Sequence, residues 1–162
     1  MSDMLHSDFL RDIPAIFLPQ LERLVTEVHS PPGRCLFAEG DAHPDFHLVL
    51  EGHVRLEMNI PGRGRIPILT LGPGEILAWS AVLSGGAMTA TATALDHVCT
   101  ASMPGGKIRQ LCEEQPVLGY HFMKQLAAAL SRRLLSTRLQ LLDLFFEHEP
   151  RVAAGGQVDP EC

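Results

Sequence analysis

Two histidines and a carboxylate, His43, His47 and Glu51, fall within nine residues of one another and are the side-chain types that hold a divalent metal. Read as a strand, that stretch puts Phe46, Leu48 and Leu50 on one face and His47, Val49 and Glu51 on the other. The first set claims the core, so the alternation predicts surface histidines with no metal between them. Gly62-Arg63-Gly64-Arg65 sets two cations in a hairpin tip that an anionic partner would meet. Arg132, Arg133 and Arg138 make a second basic group, two of the three being expected on the wet side of a helix. The cysteines, Cys35, Cys99, Cys112 and Cys162, lie far apart with no C-x-x-C pair, which predicts idle or buried thiols rather than a zinc knot or a disulfide framework. No nucleophile-base arrangement has a local signature, so no catalytic residues and no enzyme are expected.

Composition sets the bounds for these residues. A chain of 162 residues with 46% hydrophobic content has the material for one core. No run of apolar residues is long enough for a membrane span, and the opening segment carries acids where a secretory leader needs a basic start, which predicts a cytoplasmic protein that does not enter a membrane. A formal charge of -6 gives no basic field for nucleic acid.

The elements that must position these side chains change character along the chain. Phe9, Leu10, Ile13, Ile16, Phe17, Leu21, Leu24, Val25 and Val28 recur at spacings of three and four and are interrupted by Pro14 and Pro19, which predicts short helices in series over 8–29. From Cys35 to Met103 the period falls to two, with glycine-bearing turns at 39–42, 51–53 and 61–64, the pattern of short antiparallel strands in a barrel, roll or jelly-roll. Helical spacing returns in Ile108, Leu111 and Cys112 and again from Val117 to about Phe146, with Pro116 placed to start the second helix. Thirty residues of helix would span about 45 Å, more than a small roll needs for its own cover. Ala127, Leu130, Leu134, Thr137, Leu141 and Leu144 form one stripe on it, and Leu135, Leu139, Leu142 and Phe146 another. One stripe is expected to pack on the roll and the other on a second copy of the chain. Residues 149–162 show no periodicity and read as a flexible tail, too short and too rich in Gly, Pro and Ala for a recognition helix.

The pieces PGRCLFAEGD (32–41), FHLVLEGHVRLEM (46–58) with Gly52, LGPGEIL (71–77), ATATA (90–94) and the long last helix, in this order and spacing, resemble the cyclic-nucleotide-binding domain of the catabolite-activator and Fnr (Crp/Fnr) superfamily over nearly all of Phe9 to Phe146. The resemblance implies a mainly β fold with flanking helices: an antiparallel β-roll of the jelly-roll, double-stranded β-helix type at about 33–103, short N-terminal helices, and C-terminal helices at about 105–147 ending in a long dimerisation helix. The whole domain would occupy 8–148.

In that family a short helix after the LGPGE-like turn presents backbone N–H groups which, with an arginine, hold the nucleotide phosphate, while a glutamate takes the ribose hydroxyl. The resemblance therefore places a ligand cassette at Glu75, Ile76, Leu77, Ala78, Trp79, Ser80, Met88 and Thr89, together with Ser84, Gly85 and Gly86. Trp79 stands at the glutamate position and Met88 at the arginine position, with a hydroxyl following at Thr89. Loss of two charged hydrogen bonds at roughly 1.5–3 kcal/mol each weakens nucleotide binding by about two to four orders of magnitude.

The expected function is that of a non-catalytic regulatory module that binds cyclic AMP poorly if at all, takes a nucleotide or other small anionic ligand if any, and signals as a homodimer to a protein partner without touching DNA itself. Trp79 would stack on a planar ligand or fill the space that a nucleotide has vacated. Two alternatives stand beside this reading. A ligand-free dimerisation scaffold would have its pocket filled by Trp79 and Met88. A cupin-like metal enzyme would bring His43, His47 and Glu51 together inside the roll.

Overall fold

The computed structural model describes residues 7–83 and 86–148, with side chains as far as Asp143. Ser84, Gly85, the side chains of Leu144 and Phe146, and the expected tail at 149–162 lie outside the described residues. After a turn segment at 7–13, a 3₁₀ turn at Ala15–Phe17 runs into α1 (Leu18–Glu22), with Pro19 in its first turn, where a missing N–H costs nothing. Eight strands follow: β1 (Thr26–Ser30), β2 (Cys35–Phe37), β3 (Asp45–Glu51), β4 (Val54–Ile60), β5 (Gly64–Leu71), β6 (Ile76–Leu77), β7 (Thr91–Ala94) and β8 (Val98–Pro104). A single helical turn, α2 (Ser80–Leu83), interrupts them, and α3 (Gly105–Glu114) and α4 (Pro116–His148) close the described chain.

The strands form two four-stranded antiparallel sheets, ordered β1-β8-β3-β6 and β2-β7-β4-β5. This is the mainly β roll with flanking helices that the period-two pattern and the turn signals predict. Two features differ. Residues 26–29 were expected to be helical, yet β1 pairs with β8 from Thr26 opposite Ser102 to Ser30 opposite Val98, so the roll starts before residue 33. Thr26 and Val28 are β-branched, and the ladder offered by β8 outweighs the weak three-four spacing of Val25 and Val28.

The second difference concerns β3. Phe46 and Leu48 are fully buried on one face, but Val49 and His47, 5% exposed, are buried on the other. The sheet is a middle layer: one face meets the opposite sheet and the other meets the helices, so neither can be the surface that the alternation of β3 predicts for His47.

Two apolar clusters result. Inside the roll, Phe37, Val49, Val54, Leu71, Leu77, Met88, Ala92, Ala94 and Val98 pack together. Between roll and helices, Phe9, Phe46 and Phe122 meet at ring distances of 5.3–5.7 Å and are joined by Ile76, Val82, Met103, Ile108, Leu118 and Leu126.

The α4 helix touches the domain with Leu118, Phe122, Leu126, Ala129 and Leu130, and Gln125 donates to the Asp12 carboxylate at 2.8 Å. Beyond Arg133 every described residue through Asp143 is exposed. The stripe Leu135, Leu139 and Leu142 therefore lies off the roll, as Leu134 and Leu141 do, instead of packing on it.

Candidate ligand site

The cassette begins at a turn held by the strand beneath it. Gly74 N–H donates to the Val49 carbonyl at 2.8 Å, Val49 N–H donates to the Glu75 carbonyl at 2.9 Å, and the Glu75 carboxylate accepts from Gly72 N–H at 2.8 Å. Gly74 has φ 86°, a left-handed value that a side chain resists. On the two-residue strand β6, Ile76 faces the helical cluster and Leu77 the roll interior. The chain then turns sharply at Ala78, whose φ of 53° is the one positive value outside glycine among the described residues. That conformation costs an alanine about 1 kcal/mol and launches Trp79 and α2 across the mouth of the roll.

The expected site residues separate into two places. Leu77, Ala78, Trp79, Ser80, Met88 and Thr89 line a common cavity with Phe37, Leu56, Ala90 and Arg133, and that cavity is about 20 Å³. Glu75 and Ile76 instead line a cleft of about 560 Å³ on the outer side, between the turn segment, the glycine turn and α4. Sites for drug-sized molecules run from about 300 Å³, whereas one water needs about 10–15 Å³, so the inner cavity has room on the scale of a water.

Met88 takes up much of this space. It is 3% exposed, its sulfur accepts from the Ser80 hydroxyl at 3.7 Å, and its backbone is committed on both sides: Met88 N–H donates to the Asp41 carbonyl and Gly40 N–H to the Met88 carbonyl, at 2.9 and 2.8 Å. Trp79 is half-buried and packs against the helical cluster while it lines the cavity wall. Thr89 is exposed.

Two arginines that the sequence pattern did not single out for this site tie it to the helices. Arg133 reaches back from α4 and its guanidinium donates to the Ile76 carbonyl. Burial pushes its pKa down while the nearby Glu75 carboxylate pushes it up. Arg109 of α3 donates to the carbonyls of Ala81 and Val82, the latter at 3.3 Å, and so caps the far end of α2. Gly105, at the start of α3, lies so close to Ala81 that a Cβ there would stand 2.3 Å from the Ala81 carbonyl oxygen. The short helix is thus clamped to α3, and α4 reaches the strand β6 that leads into it. Of the remaining cations, Arg63, Arg65, Arg132 and Arg138 are exposed.

The histidine pair lies elsewhere in the roll. His47 shares a 3.1 Å hydrogen bond with the Thr100 hydroxyl and a 2.8 Å Nε2–Nε2 contact with His43. Burial, reinforced by His43, lowers the pKa of His47 to about 4, and burial lowers that of His43 against the pull of Asp45. The two rings share one hydrogen and remain neutral at neutral pH. The expectation of surface histidines is overturned for His47. Glu51 is exposed, so the convergence of three ligands inside the roll that a cupin-like centre needs is not formed.

Residues 27–115 match the family model for the cyclic nucleotide-binding domain, more than half of the chain. The chain belongs to the cyclic nucleotide-binding domain family. It is 30% identical over 135 residues to a CRP-like cAMP-activated global transcriptional regulator of Mycobacterium tuberculosis, covering 82% of this chain and 58% of that one. The chain thus spans little more than half the length of that curated relative. Among solved structures, the Thermus thermophilus catabolite activator protein superposes with a TM-score of 0.68 at 26% identity, covering 86% of this chain and 63% of that one. A cyclic nucleotide-binding domain from Methylobacillus flagellatus gives a TM-score of 0.77 over 93% of this chain and 83% of that one; at 21% identity this likeness speaks for the fold alone. Among the described residues no helix is long and apolar enough to cross a membrane.

Proposed function

We propose that this chain is a regulatory module of the cyclic nucleotide-binding family whose cassette has been closed by its own side chains, so that it does not take up cyclic AMP tightly and acts through a homodimer on a protein partner. The observation that carries this reading is the cavity of about 20 Å³ at the place where the family resemblance puts the ligand. Trp79 and Met88 stand where the resemblance calls for a glutamate and an arginine, so among the described residues the space for a nucleotide and these two charged partners are missing. Binding is its work rather than catalysis.

The dimer rests on α4. Leu134, Leu135, Leu139, Leu141 and Leu142 are all at least half exposed on a helical extension that no other described element covers. An isolated helix of that length is marginal in water, and a row of bare leucines is a cost that a second copy of the helix removes. Coupling between dimer and cassette would run through Arg133 and Arg109, which bind the two ends of the cassette segment from α4 and α3. The free thiols Cys35, Cys99 and Cys112 are in keeping with a cytoplasmic setting.

A second reading, a sensor for a small anion, is favoured by Arg133 alone, a cation on the wall of both the inner cavity and the outer cleft. A thermal-shift panel of cyclic AMP, cyclic GMP, nucleotides and small anions, run beside sedimentation velocity, separates these readings. The proposal expects a dimer and no shift with cyclic nucleotides. A stabilisation of about 2.7 kcal/mol by cyclic AMP at a hundredfold over its dissociation constant overturns the closed cassette, a shift with phosphate or carboxylate alone selects the anion sensor, and a monomer removes the dimer.

A further inference from the structure

On the outer face of the first sheet, away from the cassette, three adjacent strands bring together four side chains that metals favour. Cys99 on β8 lies directly opposite His29 of β1 on one side and Glu51 of β3 on the other. Glu27 precedes His29 by two residues and so shares its face. The ligand atoms of Glu27, His29 and Cys99 all lie within 4.8 Å of one another, the Cys99 sulfur standing 4.0 Å from His29 Nε2. Among the described residues this is the one such grouping of metal-ligand side chains. His97 places its ring 5.6 Å from that of His29, beside the same site.

We propose that Glu27, His29 and Cys99 form a binding site for a divalent transition metal of the zinc class.

Geometry supports it: bonds of about 2.0–2.3 Å in a tetrahedral site put ligand atoms roughly 3.5 Å apart, so the group needs to close by about 1.3 Å or less, a change of side-chain rotation at exposed Glu27 and His29. The backbones that carry them are fixed by the ladder. The donor set selects the metal. A thiolate with an imidazole is soft and suits zinc, cobalt or nickel, whereas calcium and magnesium prefer oxygen throughout.

Burial first, then the carboxylates of Glu27 and Glu51, push the Cys99 thiol above its usual pKa. A divalent ion reverses the sign of that field. On binding, the S–H bond breaks, the proton leaves to solvent and the sulfur's electron pair forms the bond to the metal, with no change of oxidation state. A metal here would pin β1 to β8, two neighbouring strands of the sheet that the helical layer covers.

The test is a titration of the full-length reduced protein, stripped with chelator, with cobalt(II) as probe. The expected result is one equivalent bound per chain, an intense thiolate-to-cobalt charge-transfer band in the near ultraviolet, and its loss on adding zinc. Cys99→Ser should abolish the band, and His29→Gln should weaken affinity by at least about a hundredfold, while Cys35→Ser/Cys112→Ser/Cys162→Ser combined leaves it intact. His29 is exposed, so that variant tests the site even if the Cys99 change disturbs folding. Absence of the band in the wild type, its survival in Cys99→Ser, full affinity in His29→Gln, or its loss in the triple variant would each overturn the proposal.

Discussion

The cassette and the distal half of α4 are opposites. Where the family resemblance places a ligand, the roll is packed shut around Met88 and leaves about 20 Å³; where a monomer should cover its apolar side chains, α4 carries five leucines at least half exposed. On the proposed reading, one region is closed to small molecules and the other open to a second copy of the chain. On that reading the difference teaches that a fold can keep the cassette segment, with α2 tied to Arg109 and β6 to Arg133, while the surface that contributes binding free energy shifts from pocket to helix.

The contrast breaks most readily at the helix. Leu134→Glu together with Leu141→Glu puts charges on exposed positions that the roll does not use, so the domain should fold as before. Burial lost in both copies predicts a dimer weaker by about 4 kcal/mol or more, roughly a thousandfold, seen as monomer in sedimentation at a concentration where a dimer is expected of the wild type. At the cassette the contrast is sharpened by reversing the two substitutions: Trp79→Glu with Met88→Arg should raise affinity for cyclic AMP by about two to four orders of magnitude in calorimetry. No gain in a variant that melts cooperatively would show that the pocket is closed by its backbone and not by these two side chains.

A smaller effect comes from the roll interior. His47 is held neutral with its pKa lowered to about 4 from 6.5, so the unfolded chain takes up the proton first as pH falls. Its contribution to stability is fully present above pH 6.5 and is lost progressively down to about pH 4, some 3 kcal/mol in all. His47→Gln should flatten that part of the urea-unfolding profile between pH 4.5 and 7, and an unchanged slope would assign the acid sensitivity to other groups. The smallest effect is local. Ala78→Gly relieves the left-handed backbone at φ 53° and should stabilise the fold by about 1 kcal/mol, or a few degrees in Tm, unless the extra freedom of the unfolded chain offsets it.

Legibility in the sequence followed the strength of the local signal. The roll was readable because period-two runs are bounded by turn glycines such as Gly52, where a Cβ would stand 2.3 Å from the His97 carbonyl oxygen and φ is 79°. The strand β1 was hidden because its pairing with β8 joins residues some seventy positions apart, and nothing within Thr26–Ser30 reports on that. His47 was misassigned for a related reason. Alternation tells that β3 has two different faces, but only the layering shows that both are covered.

Within the site, Met88 and Trp79 were legible as departures from the family pattern. Arg133 was not, since a helix-borne arginine looks the same whether it meets water or reaches the Ile76 carbonyl. Glu27, His29 and Cys99 lie too far apart along the chain to form any motif, and only register brings them together.

The most direct test of the proposed closed cassette is calorimetric titration of the wild-type protein with cyclic AMP. The account predicts no saturable heat at concentrations up to about 1 mM, where the binding free energy would be only about 4 kcal/mol. Saturable binding at micromolar cyclic AMP with one site per chain would contradict it, and would require Met88 and Trp79 to swing out of the roll to make room.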